Sequence, residues 1–150
     1  MGYDFILFRM RQPVAGCPAR IPAEFGKDSV IPVDDPAALH AAVRASPVFD
    51  PGTVTFAGTR FTWHTPDGGK LDVDAIAQGI NIDTHAHWNH VAELFDVVLA
   101  VWPETALFDL QRAHVHDPAS FRAFVERSYR EAAEKAARER DPGAEPGAAG

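Results

Sequence analysis

The segment from Gly79 to Trp102 reads GINIDTHAHWNHVAELFDVVLAVW, and a change of periodicity within it indicates the fold class. Apolar and polar side chains alternate in its first six residues, with Ile80 and Ile82 on one face, which is typical of a half-buried strand. From Val91 onward the apolar residues recur at helical spacing and form a wide apolar face. A strand followed directly by an amphipathic helix predicts a core shared by a sheet and helices.

The residues on both sides of this segment predict further strands. Apolar residues on both faces of Tyr3–Met10 predict a central strand, and the Pro66-Asp67-Gly68-Gly69 turn signal indicates an antiparallel hairpin. We therefore predict an α+β fold with a mostly antiparallel sheet of five or six strands and two or three helices packed on it. The six predicted strands are 3–10, 53–56, 59–64, 71–73, 79–84 and 106–111.

Two other helices are predicted from their start signals. Asp35-Pro36 and Asp117-Pro118 each supply an N-cap residue followed by a proline suited to the first helical position. Residues 11–33 contain four prolines and two glycines, which predicts a long irregular connection of a kind that is often functional. We expect a single α+β domain over residues 1–140 and a disordered tail over residues 141–150, which are rich in glycine, alanine and proline.

Composition narrows the classes of partner. The net charge of −7 and the pI of about 5.4 disfavour nucleic acid and anionic membrane surfaces, and favour a partner with a basic surface. No segment reaches the roughly 18 apolar residues of a membrane span. A single cysteine, Cys17, suits a reducing compartment, so we expect a cytoplasmic protein.

Five of the seven histidines lie in two clusters, one directly after the predicted strand 79–84 and one at His114 and His116. If the strand that ends at Thr84 continued, alternate side chains would project from one face, as they do in many metal sites. The sequence Asp83-Thr84-His85-Ala86-His87 resembles the Asp-x-His-x-His element of amidohydrolase and TatD-type hydrolases, in which the two histidines bind the first metal. A chain of 150 residues is too short for the barrel of those families. The resulting metal hypothesis, a small zinc hydrolase, has the ligands Asp83, His85, His87, His114 and His116.

The same residues admit a second interpretation. The first cluster lies between the end of a strand and the first turn of a helix, whose positive dipole end favours neutral imidazoles. Neutral histidines cap free backbone groups or line a contact surface as readily as they bind a metal. An exposed tryptophan beside them would suit a protein interface. The predicted partner-binding residues are Asp83, His85, His87, Trp88 and His90.

The opening Met1-Gly2-Tyr3-Asp4-Phe5-Ile6-Leu7-Phe8 resembles the first strand of small bacterial proteins that begin Met-Ser-Tyr-Asp, and the strand 107–111 is similar to their later pattern. Some of those proteins look like cytoplasmic immunity proteins of toxin systems. The resemblance implies occlusion of a partner and no catalytic residue or cofactor. The favoured hypothesis is therefore a non-enzymatic, toxin-neutralising binding protein. The metal-dependent hydrolase is the alternative, and a structural or assembly subunit is a third possibility.

Overall fold

A computed structural model describes residues 2–140 and confirms the α+β class. All strand pairs in it are antiparallel, but the sheet within these residues has nine strands, so the expected five or six was too low. In chain order the elements are β1 (Tyr3–Met10), β2 (Ala19–Arg20), β3 (Val30–Ile31), α1 (Pro36–Ala45), β4 (Val54–Ala57), β5 (Arg60–His64), β6 (Lys70–Ile76), β7 (Gly79–Thr84), α2 (Asn89–Val101), β8 (Thr105–Asp109), β9 (His114–His116) and α3 (Pro118–Arg140).

The three strands that were not expected are short. β2 and β3 have two residues each and lie in the segment 11–33, which we predicted to be irregular. β9 has three residues and pairs with β8, where we expected only a strand-to-helix junction. Such pieces are too short to carry a periodic signal, because only their distant partners define them as strands.

β1 lies at the centre of the sheet, as predicted from its apolar residues on both faces. The strand order is β2-β9-β8-β1-β7-β6-β5-β4, with β3 pairing beside the end of β1. Phe5 stands opposite Ile82 of β7, and Phe8 stands opposite Ala106 of β8. Burial on both faces explains why polar alternation is weak in this strand.

All three helices cover one face of the sheet, here called the helix face. Phe5 and Leu7 of β1 point into this layer together with Ile80 and Ile82 of the neighbouring strand β7, and none of these four is more than 1% exposed. The wide apolar side of α2, including Leu94, closes the core from above. Helix α1 begins as predicted, because the Asp35 carboxylate accepts the Ala38 backbone N–H at 3.2 Å.

The opposite face of the sheet, here called the outer face, is covered only in part. Segment 11–33 folds over β1, β8 and β9 and forms a second apolar cluster around Met10, Val30, Phe108 and Val115. The outer face of β4 to β7 has no such cover among residues 2–140. The outer face is therefore divided into an apolar, covered half and a polar, open half.

Helix α3 is buried only along its first half, through Phe121, Phe124 and Val125. Residues 130–140 are exposed, which agrees with their Ala, Glu, Lys and Arg composition. The disordered tail expected over residues 141–150 lies outside the described residues. None of the helices in residues 2–140 combines the length and the apolar character that a membrane crossing needs.

Candidate functional site

Two of the predicted partner-binding residues lie on the open half of the outer face. Asp83 is on β7, and its side chain points away from the helices because Ile82 and Thr84 point towards them. His85 follows on the same side, with its Nε2 atom 3.5 Å from Asp83 Oδ2. Gly2 packs against both side chains so closely that a Cβ atom there would overlap them. The pair is about 40% exposed and accessible to a partner.

Asp83 belongs to a line of three carboxylates, here called the carboxylate row. Asp4 of β1 and Asp72 of β6 stand directly opposite Asp83 in the two neighbouring strands. Directly opposed side chains in an antiparallel sheet have Cβ atoms about 4.5–5.5 Å apart, and like charges at that distance destabilise the pairing. The row therefore places three negative charges side by side, and this arrangement adds no stability to the isolated sheet.

The row is only partly neutralised by the chain itself. The Lys70 ammonium lies 3.3 Å from Asp72 Oδ2, and the Thr62 hydroxyl donates to Asp72 Oδ1 at 2.7 Å. Burial opposes ionisation of Asp72, but these two side chains outweigh it and hold its pKa below the usual value. Asp4 is exposed and makes no ion pair within residues 2–140.

A concave surface, here called the acidic hollow, lies over the carboxylate row. Its volume is about 540 Å³, and it extends from Asp4 on β1 to Thr55 on β4. A fourth carboxylate, Asp74, accepts the Thr59 hydroxyl at 2.8 Å and pairs with the Arg60 guanidinium at 3.3 Å. Apolar and polar groups both line the hollow, but its four carboxylates outnumber its one guanidinium, and this excess of negative charge suits a basic ligand surface.

The other predicted partner-binding residues lie at the helix side of the β7–α2 junction. Trp88 is half-buried and stacks on Phe124 of α3, with the two ring centroids 5.6 Å apart. His87 stacks on Tyr129 with the centroids 3.7 Å apart, and its Nδ1 atom accepts the Asn89 backbone N–H at 3.1 Å. His87 thus caps α2 and packs against α3, so the five predicted residues do not form one continuous ridge.

His90 is buried and held between two carboxylates. Its Nδ1 atom lies 2.7 Å from Glu93 Oε1, and its Nε2 atom lies 3.8 Å from Asp67 Oδ1. Asp67, in the β5–β6 turn, also accepts the His87 backbone N–H at 2.9 Å. Hydrogen bonds from the Thr65 hydroxyl and from this backbone N–H lower the pKa of Asp67 to about 2. These contacts attach the turn to the start of α2, so Asp67 and His90 have a structural role here.

The structure does not bring together the five residues of the metal hypothesis. β7 and β9 are separated by β1 and β8, so His85 and His116 are separated by at least the three strand spacings between them, about 14 Å. They also lie on opposite faces, because the His116 ring packs against Phe121 and Phe124 of α3. Within residues 2–140 no three His, Cys, Asp or Glu side chains are grouped to hold a metal ion.

A polar cluster that the sequence did not indicate lies beneath α3. The Tyr3 hydroxyl donates to Asp109 Oδ1 at 2.7 Å, and the Arg112 Nε atom lies 3.7 Å from Asp109 Oδ2. Asp109 is completely buried, and His116 beside it is 1% exposed. Asp109 Oδ2 and His116 Nε2 have no hydrogen-bond partner in the part of the chain that is described.

Burial sets the protonation of this cluster. It raises the pKa of Tyr3 to about 12, and the hydrogen bond to the Asp109 carboxylate acts in the same direction. Burial lowers the pKa of His116, although the nearby Asp109 charge opposes that effect. Asp109 and His116 are both buried, and the Tyr3 hydroxyl holds the Asp109 carboxylate, which is the arrangement of a buried structural network. Only the polar Asp109 in an otherwise apolar strand could have signalled it.

Comparison with known proteins adds no relative. The chain matches no family model, no curated protein and no solved structure. The acidic hollow, the capped α2 junction and the buried polar cluster therefore have to be interpreted from their own chemistry.

Proposed function

We propose that this chain is a non-enzymatic protein-binding domain that docks a basic partner protein in the acidic hollow. The carboxylate row carries the proposal, because three carboxylates in direct register weaken the free sheet and gain from a cationic ligand. The exposed Asp4 side chain leaves one of these charges without an ion pair within residues 2–140. Lysine or arginine side chains of a partner would supply the missing positive charge.

The charge of the whole chain supports the same partner class. A net charge of −7 attracts a basic protein over a distance of about one Debye length, roughly 8 Å at physiological salt. Such attraction mainly accelerates association and makes the on-rate dependent on salt. A basic toxin neutralised by occlusion is the partner that we propose, in keeping with the immunity-like resemblance of the first strand.

The test compares two variants of equal charge. Asp4→Asn/Asp72→Asn/Asp83→Asn removes the carboxylate row, while Glu131→Gln/Glu134→Gln/Glu139→Gln removes three charges from the exposed end of α3. A partner captured from the native host would be purified and its association measured by surface plasmon resonance at several salt concentrations. We expect the first variant to lose at least about ten-fold in affinity and the second to lose less than about three-fold.

Equal losses in the two variants would show that net charge alone matters and would contradict the proposal. Absence of any stoichiometric partner in captures from the native host would also contradict it. The alternative of a zinc hydrolase needs ligands from both faces of the sheet, and no contact described above favours that arrangement. Elemental analysis of the purified protein separates the two functions, since the hydrolase requires close to one metal ion per chain.

A further inference from the structure

The strand β4 leaves one edge of the sheet open. It is the last strand in the order, and its only partner in the described residues is β5. Gly58 has a φ of +64° at the first position of the two-residue turn, as a type II′ hairpin requires. In such a hairpin the pairs Ala57–Arg60 and Thr55–Thr62 carry the hydrogen bonds, so the N–H and C=O of Phe56 point to the open edge.

This edge lacks the usual protection against strand addition. Natural edges are commonly guarded by lysine, proline or a bulge, and residues 54–57 contain none of these. The backbone N–H of Val54 is already bound to the Pro51 carbonyl, which leaves the groups around Phe56 for a partner. The opposite end of the sheet offers much less, because β2 has only two residues.

An apolar groove runs beside the open edge on the helix face. Its volume is about 380 Å³, and Phe49, Val54 and Phe56 form much of its wall together with Val43 and Pro51. The Arg44 guanidinium lies over the Phe56 ring, 3.9 Å from its centroid. Side chains on one face of an added strand would enter this groove.

The acidic hollow adjoins the same edge on the outer face. Thr55 and Ala57 of β4 line it, although the carboxylates Asp72 and Asp74 lie two strands further in. Alternate residues of a strand point to opposite faces, so an added strand would direct every second side chain to the groove and the others to the hollow. The groove suits apolar side chains, and the hollow suits long basic side chains that extend across β5 towards Asp72 and Asp74.

We propose that β4 binds an extended segment of the partner by strand addition, and that this segment alternates apolar with basic residues. The inference rests on the proposed function and names the partner's chemistry at the acidic hollow. Main-chain hydrogen bonds to Phe56 would give affinity, while the groove and the hollow would select the alternation.

The probe is a soluble eight-residue peptide that alternates valine with lysine. Two controls are a peptide of the same composition in two blocks and a peptide alternating valine with glutamate. Binding would be measured by fluorescence anisotropy, and amide hydrogen exchange of the unmodified protein would be followed by NMR. We expect the alternating lysine peptide to bind at least about ten-fold more tightly than either control and to slow exchange of the Phe56 amide.

Two substitutions distinguish the contribution of the Phe56 backbone N–H to binding from that of its side chain. Phe56→Pro removes the outward N–H, while Phe56→Ala removes the ring and keeps the N–H. We expect Phe56→Pro to bind the peptide at least about ten-fold more weakly than Phe56→Ala. Should Phe56→Pro fail to fold, the exchange measurement on the unmodified protein decides the matter, because it needs no variant.

Unchanged exchange at Phe56 in the presence of saturating peptide would overturn strand addition. Equal binding of the lysine and glutamate peptides would overturn the basic half of the inference. If Asp4→Asn/Asp72→Asn/Asp83→Asn weakens the peptide while the Phe56 amide exchanges as before, the acidic hollow binds without strand addition. That result would preserve the proposed function and reject this inference, so the two failures are distinguishable.

Discussion

At the scale of single residues, Asp109 is a completely buried carboxylate at the end of β8. A carboxylate that is fully removed from water needs compensating contacts, and this one has the Tyr3 hydroxyl, the Arg112 backbone N–H at 3.2 Å and the Arg112 guanidinium. The three contacts come from β1 and from the turn after β8. The carboxylate therefore joins the central strand to the end of its neighbour.

Removing the Tyr3 hydroxyl should weaken this connection. Tyr3→Phe leaves Asp109 Oδ1 with one backbone donor, so we expect the free energy of unfolding to fall by about 1–3 kcal/mol. Urea denaturation followed by circular dichroism measures the change. In the double variant Tyr3→Phe/Asp109→Ala the two effects should not add, because both substitutions remove the same hydrogen bond. Full additivity would contradict the assigned contact.

His116 should make stability depend on pH. Burial lowers the pKa of its imidazole from the ordinary 6.5, so the unfolded chain binds a proton at a pH where the folded chain does not. Stability is then fully present above pH 6.5 and declines as the pH falls towards the folded pKa, by at most about 1.4 kcal/mol per pH unit. We expect His116→Gln to flatten the pH dependence of unfolding between pH 7.5 and about 5.5.

A matched control for this measurement is His64→Gln, at an exposed position of β5. Burial also lowers the pKa of His40, which contributes a slope of the same sign in every variant. A pH dependence equally steep in His116→Gln and in the unmodified protein would show that His116 is not the titrating group.

At the scale of elements, the β5–β6 turn and the start of α2 behave as one unit. Asp67 accepts the His87 backbone N–H at 2.9 Å, and Gly69 approaches the His85 carbonyl so closely that a Cβ atom there would lie 2.5 Å from it. Helix α2 has no side-chain cap from its own N-cap residue, Trp88. The His87 ring instead accepts the Asn89 backbone N–H, and Asp67 of the turn holds His87 in place by accepting the His87 backbone N–H.

Asp67→Ala should therefore loosen a helix that lies some 20 positions later in the chain. We expect a loss of about 1–3 kcal/mol in the free energy of unfolding and faster amide exchange at His87 and in the first turn of α2. Asp34→Ala, at an exposed position with no hydrogen bond to its side chain in residues 2–140, serves as the control. Equal effects of the two substitutions would argue against the attachment.

At the scale of the whole molecule, local periodicity was sufficient to predict the long strands and helices, but it could not predict the buried polar cluster. The alternation in Gly79–Thr84 and the apolar face after it predicted β7 and α2 because each residue's environment follows from its own spacing. The buried cluster could not be predicted in this way. Tyr3, Asp109 and His116 belong to three strands, and only the sheet order brings them together.

The candidate site was likewise predicted only in part from the sequence. Asp83 and His85 were identified from the sequence, yet their relevant neighbours Asp4 and Asp72 come from strands far away in the chain. Trp88 and His90 were interpreted as surface residues because they follow a strand end, whereas packing of α3 and the β5–β6 turn encloses them. Register and helix placement, which the sequence does not reveal locally, decide these outcomes.

The position of β1 also has a consequence for biosynthesis. The central strand is made before its two long partners β7 and β8, which lie far along the chain. At about 5–20 residues per second, Tyr3–Met10 waits on the order of ten seconds for β8. Until β7 and then β8 have been made, this apolar strand lacks its long partners on the nascent chain. We expect this strand to be the segment that ribosome-associated chaperones bind.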